Sequence, residues 1–148
     1  MNERVSELQN ILGDSLVAAY SSFDWTAIHL FYGEVGQIAQ YTSECVDVDG
    51  KSQYASVPKA ALDALKLLKE VLATPEHGTW LSVNVTIVRD TGQFNIKYNY
   101  DEQPSWDFEP QPENYLLDLE RYPRPGDEIP SWYPKPEDFP NWHEELKR

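Results

Sequence analysis

Three histidines are the first residues to consider for chemistry: His29, His77 and His143. His29 alternates with Ile28 and Leu30 in an apolar run, His77 sits in a loop segment, and His143 lies near the C-terminus. A zinc site needs ligands that converge from short spacings. No histidine pair has such a spacing, and no cysteine or carboxylate cluster completes a set of four. The stretch Asp47-Val48-Asp49-Gly50-Lys51 begins like a calcium loop, with alternating carboxylates. Its next alternate position is Lys51, and its flanks read as strands rather than helices, so calcium is not expected. Ser21 and Ser22 lack the G-x-S-x-G setting of a nucleophile elbow. The seven glycines are scattered and form no phosphate-cradling loop. Acidic pairs are plentiful among 25 Asp and Glu, but no spacing fixes two of them in acid–base geometry. The sequence therefore gives no positive support for an enzyme, a metal or a cofactor.

Recognition is the chemistry that the spacing favours. Asp101, Glu102, Asp107, Glu109 and Glu113 form an acidic string, and Trp106 and Phe108 are interleaved with it. From Asp101 onward there are thirteen acids against five bases, which is 8 of the 13 net negative charges. Aromatic anchors among carboxylates suit a basic protein surface. A nuclease active site is such a surface, because it must attract phosphate. Carboxylates set against it would steer association and block substrate. The candidate partner-binding residues are Asp101, Glu102, Trp106, Asp107 and Glu109. The competing reading is a solvated acidic face whose aromatic rings pack into the core. The same charge argues against nucleic acid and against an anionic membrane as partners.

These residues hang from a β-hairpin. Leu81, Val83, Val85 and Ile87 are apolar, and Ser82, Asn84 and Thr86 between them are polar. That period of two marks a strand with one buried face. Asp90-Thr91-Gly92 makes the turn. Phe94, Ile96, Tyr98 and Tyr100 then share one face of the return strand. Ile96 is expected to be fully buried, with a loss of roughly 2–5 kcal/mol on replacement by Ala.

The remaining elements follow from the same periodicities. Val5, Leu8, Ile11, Leu12, Leu16 and Ala19 predict an amphipathic helix over residues 3–20, with Gly13 weakening it by roughly 1 kcal/mol relative to Ala. Strands are expected at 25–32 and 36–46, joined by a tight turn near Gly33-Glu34. Asp49-Gly50 is a further hairpin turn. A second helix is expected over 58–73, with Pro58 in its first turn and Ala61, Leu62, Leu65, Leu68, Val71 and Leu72 as its apolar stripe. Strands at 80–88 and 93–100 complete a sheet of about four strands. Tight turns between strand pairs make it antiparallel, with the helices on one face, which is an α+β fold.

The hairpin wording G-Q-F-N-I-K-Y-N-Y-D-E resembles that of the YezG-like antitoxins, a family of bacterial immunity proteins. The residues that carry the likeness are Trp80, Gly92, Phe94, Asn95, Ile96, Tyr98, Asn99, Tyr100, Asp101 and Glu102. A second stretch is similar too, a Trp leading into an apolar strand and a Gly-Glu-Val turn, here at 25–35. The likeness spans roughly residues 20–102. It implies an antitoxin that binds a cognate secreted toxin, often a nuclease, inside the producing cell. The inhibition would be stoichiometric, and the gene would sit beside the toxin gene. Other readings of the residues are an acidic adaptor for another basic partner, or an enzyme with an unrecognised site.

Length and composition set the frame. At 148 residues the chain makes one domain. A hydrophobic content of 41% with 13% aromatics argues for a folded protein despite the charge. Cys45 is the only cysteine, so no internal disulfide forms, which fits a reducing cytosol. No run of about 18 apolar residues suggests a membrane span. The start Met-Asn-Glu-Arg runs into a helical pattern rather than a signal sequence, so a cytoplasmic location is expected. Residues 1–102 read as the helix–sheet core. Residues 103–148 hold nine of the eleven prolines and three of the five tryptophans. Proline at that density forbids long regular elements, and the rings imply an ordered wrap over the core. Short helices are expected at 113–120 and 137–146.

Overall fold

The computed structural model describes residues 2–148. Helix α1 (Glu3–Ala19) comes first, followed by β1 (Trp25–Val35), β2 (Ile38–Asp47) and the short β3 (Ser52–Gln53). Helix α2 (Lys59–Val71) precedes β4 (Ser82–Val88) and β5 (Gln93–Asn99). The C-terminal segment carries α3 (Pro112–Arg121) and the short α4 (Trp142–Glu145). The five strands form one sheet in the order β3-β2-β1-β4-β5, and every pairing is antiparallel. The α+β class is as expected, with one strand more than the four read from the sequence.

One sheet face is buried by α1 and α2, which pack against each other. Leu8, Leu12 and Leu16 of α1 and Ala61, Ala64, Leu65 and Leu68 of α2 meet Ile28, Leu30, Tyr32, Val83, Val85 and Ile87 of the sheet. The helical stripes and the period-two strands thus meet in a single apolar layer. Burial of these side chains from water drives the packing. Asn2 caps α1, its Oδ1 accepting from the Arg4 N–H at 2.8 Å. Gly13 has a packing reason: a Cβ there would lie 2.8 Å from the Phe94 ring of β5.

Three expectations are corrected. The β1–β2 turn lies at Gly36-Gln37, not at Gly33-Glu34, because Val35 still pairs with Ile38. Gly36 supplies the positive φ, +57°, that this turn requires. Ile96 is half-buried rather than fully buried, as are Phe94 and Tyr98. All three do face the helices, opposite Val85, Ile87 and Val83, but β5 is the edge strand, and among the described residues no further strand flanks it. Ile96→Ala should therefore lower stability by about 1–2 kcal/mol, less than a fully buried isoleucine would lose. Urea unfolding at fixed slope measures this, and a loss above about 4 kcal/mol would contradict the edge position. Finally, the helix read at 137–146 shrinks to Trp142–Glu145, with a separate single turn at Pro136–Asp138. Pro140 between them explains the break.

The wrap builds a second core. Tyr115 and Tyr133 pack with Val35 and Leu81, and Trp106, Leu119, Ile129 and Trp132 close around them. Helix α3 holds the β1–β2 turn directly. Gly36 N–H donates to Asp118 Oδ1 at 3.1 Å and Gln37 N–H to Asn114 Oδ1 at 3.0 Å, while Arg121 donates to the Gly36 carbonyl at 3.2 Å. Positions 114, 118 and 121 lie on one face of a helix, so a single stripe makes all three contacts.

Under that turn lies a buried ion pair. Lys69 Nζ donates to Asp118 Oδ2 at 3.2 Å, to the Glu34 carbonyl at 2.9 Å and to the Trp80 carbonyl at 2.7 Å. The Lys69 and Asp118 side chains are 1% and 5% exposed. Burial pulls the Lys69 ammonium below the usual lysine range and pushes the Asp118 carboxyl above the usual aspartate range, each opposed by the charge of the other. The pair joins α2, α3 and the end of β1 at one point.

Candidate interaction surface

The sheet face turned away from α1 and α2 is largely uncovered. The register places His29 between Glu44 and Thr86, and Phe31 between Thr42 and Asn84. Asn84 in turn faces Lys97. These side chains alternate with the buried Ile28, Leu30 and Tyr32, so they share the outer face. His29, Thr42, Asn84 and Lys97 are exposed, and Phe31 is half-buried.

The acidic string closes one end of this face. Loop 101–109 leaves β5 and crosses back over β4, β1 and β2. It bounds a hollow of about 540 Å³ whose lining includes Phe31, Asn84 and Lys97 from the sheet. Side chains of the core hold the loop at several points. Asn99 accepts from Glu102 N–H at 2.8 Å and donates to the Glu102 carbonyl at 2.8 Å. Gln40 Oε1 accepts from the N–H groups of Asp107 at 3.1 Å and Phe108 at 3.3 Å, and Gln40 Nε2 donates to the Phe108 carbonyl at 2.5 Å.

Each candidate residue has a definite place. The Asp101 carboxylate is exposed and accepts from Arg124 at 2.9 Å. That guanidinium is itself buried, and also donates to the carbonyls of Tyr100 and Glu128. The Asp101 carbonyl accepts from Trp132 Nε1 at 2.8 Å. Asp101 is therefore both a surface charge and a tie between the hairpin and the wrap. The Glu102 and Asp107 carboxylates are exposed, and among the described residues neither has a hydrogen-bond or ion-pair partner for its side chain. Glu109 is exposed and accepts from Tyr115 Oη at 3.0 Å and Gln103 Nε2 at 3.2 Å. That carboxylate and the burial of the ring push the Tyr115 phenol well above its ordinary value, with burial the larger cause.

Trp106 is placed inward. It stands edge-to-face on Phe31 with centroids 6.3 Å apart, and its Nε1 donates to Tyr115 Oη at 2.8 Å. Its ring lies over Gly33, where an added Cβ would come within 2.6 Å of it. Trp106 therefore positions the loop, and Phe108, 81% exposed between Asp107 and Glu109, is the ring presented to solvent. Phe108 was legible as part of the aromatic–acid interleaving, but nothing in the pattern told which of the two rings faced out. Gly33→Ala should push Trp106 off the sheet and lower stability by about 1–3 kcal/mol, with a red shift in tryptophan emission. An unshifted emission spectrum with unchanged stability would show that the loop does not rest on this contact.

The other residues considered for chemistry have local roles. Asp47 accepts from the N–H groups of Asp49 and Lys51, both at 2.9 Å, and from Gln53 Nε2 at 3.1 Å. Those bonds, led by the one from Lys51, hold its carboxyl below the usual range. His77 donates to Glu128 at 2.7 Å, and His143 to Glu120 at 2.9 Å. His29 lies 3.4 Å from Thr86 Oγ1 on the open face.

The whole arrangement is an uncovered polar sheet face, with an acidic loop and one solvent-facing ring fixed at its border. No protein-family model matches the chain, and no curated protein matches it.

Proposed function

We propose that this chain is an immunity protein, an antitoxin that binds and neutralises a cognate secreted bacterial toxin by stoichiometric inhibition, and that the toxin is a nuclease. The observation that carries the reading is the fixed acidic loop. Asp101 and Glu109 accept from Arg124 and Tyr115, and the backbone N–H groups of Glu102 and Asp107 donate to Asn99 and Gln40, beside the exposed ring of Phe108. A preorganised loop loses little conformational entropy on docking, so more of the contact energy becomes affinity. Its carboxylates would steer a basic partner and occupy the surface that phosphate would otherwise reach. The hairpin likeness to YezG-like antitoxins points the same way.

The test is genetic and direct. The toxin domain encoded beside this gene should arrest growth when expressed alone, and co-expression of this chain should restore it. Continued arrest would remove the immunity reading. Rescue by binding a basic partner other than a toxin would replace it with the adaptor reading.

A further inference from the structure

Among the described residues, four of the eight exposed large apolar side chains lie at one border of the sheet; the others are on α1, α2 and the β2–β3 turn. Ile38 and Tyr41 lie on β2, Tyr54 just after β3, and Phe108 on the loop that Gln40 holds, with exposures of 37%, 47%, 67% and 81%. Beside them the strand edge is open. β3 pairs only with Cys45 and Val46, so residues 38–42 of β2 have β1 on one side and no strand on the other. Three hollows border this stretch. One of about 340 Å³ lies at Ile38, Gln40 and Phe108, and two open over the sheet face beside it, one of about 220 Å³ at Phe31, Tyr41, Thr42 and Asn84 and one of about 340 Å³ at His29, Thr42, Glu44, Tyr54 and Thr86.

An open edge with flanking rings is a template for an added strand. The charges around it select the occupant. Glu44, Asp107, Glu109 and Glu145 line these hollows, and Arg148, which also lines the first, pairs with Glu145 at 3.8 Å. A second copy of this chain would bring carboxylates against carboxylates, on molecules each carrying a net charge of -13. A cationic strand meets no such repulsion, and its Lys or Arg groups can lie over Phe108 and Tyr54. We infer that the β2 edge takes an extended, lysine- or arginine-bearing segment of the partner, added to the sheet as a strand between Phe108 and Tyr54. The inference rests on the immunity reading for the identity of that partner, but not for the edge itself.

The test uses the full chain and an acetylated peptide of alternating lysine and valine, about seven residues long so that it covers the roughly 17 Å of strand that five residues span. Two analogues accompany it, one with glutamate for lysine and one with alternate backbone amides N-methylated. The lysine peptide should bind saturably and slow hydrogen exchange at amides of residues 39–42. Each analogue should bind about tenfold weaker or worse, since one loses the charge match and the other the backbone bonds. Phe108→Ser and Tyr54→Ser should each weaken the lysine peptide severalfold at unchanged melting temperature, because both rings are exposed. Protection confined to β5, affinity indifferent to N-methylation, or no saturable binding would each overturn the inference. Loss of the peptide result with growth rescue intact would leave the immunity reading standing without this edge. Peptide binding without growth rescue would uphold the edge and remove the toxin.

Discussion

Asp118→Ala is expected to destabilise the fold by about 3–5 kcal/mol, the largest effect of any single change away from the apolar core. The reason is what remains behind. Lys69 would keep an ammonium in a site 1% exposed, still facing the Glu34 and Trp80 carbonyls but with no counter-charge. The Gly36 N–H would also lose its acceptor at the β1–β2 turn. Asp118→Asn separates charge from shape, since the amide keeps the volume. Without the carboxylate, the Lys69 pKa falls further below the usual lysine value. In the window between that lowered value and the ordinary one near 10.4, the unfolded chain binds the extra proton, so stability rises with pH. Burial places the parent's Lys69 below the ordinary value too, but less far than in the variant, so between the two values only the variant gains stability; the deficit of Asp118→Asn should be largest near neutral pH and narrow toward about pH 9.5. Urea unfolding at both pH values measures it. A deficit that widens with pH would mean that Lys69 is not the uncompensated group.

The second large effect concerns association. Reversing Glu102 and Asp107 together, to lysine, should slow binding to the toxin domain that the proposed immunity role requires by tenfold or more at low salt and flatten its salt dependence. These two positions make the clean test, because their carboxylates have no partner within the described chain, so the fold should not feel the change. Asp101 is unsuitable by itself. Its reversal would set a cation against the buried Arg124 guanidinium, whose side chain is 3% exposed, and would disturb the wrap as well as the surface. Unchanged association rates with unchanged melting temperature would place the interface away from the loop.

Much of this architecture was legible from local periodicity. The hairpin at 82–99, α1 and α2 each carry a pattern that one element's own geometry explains. The parts that were missed depend on distant partners. The turn at Gly36 is fixed by Asp118, which lies 82 residues further along the chain, so the nearer Gly33-Glu34 looked equally good. β3 is only two residues long and leaves no periodic trace. Ile96 had the right face but the wrong depth, because alternation reports direction and not whether a strand lies at an edge. Lys69 did leave a signal. It falls four residues after Leu65 on the apolar stripe of α2, where a charge needs a buried partner, and Asp118 of α3 provides it. In the acidic loop, the sequence marked the right segment. Only the contact of Trp106 with Gly33 and Phe31 shows which ring points inward.

The central claim is that the chain inhibits a basic toxin by occupying it, one molecule to one. Titrating this protein into the purified toxin domain that the proposed role requires, while following nuclease activity, tests it most directly. Activity should fall linearly and reach zero at about one equivalent, and the inhibition should weaken as salt is raised, as steering by carboxylates requires. Full nuclease activity in the presence of excess protein would contradict the claim.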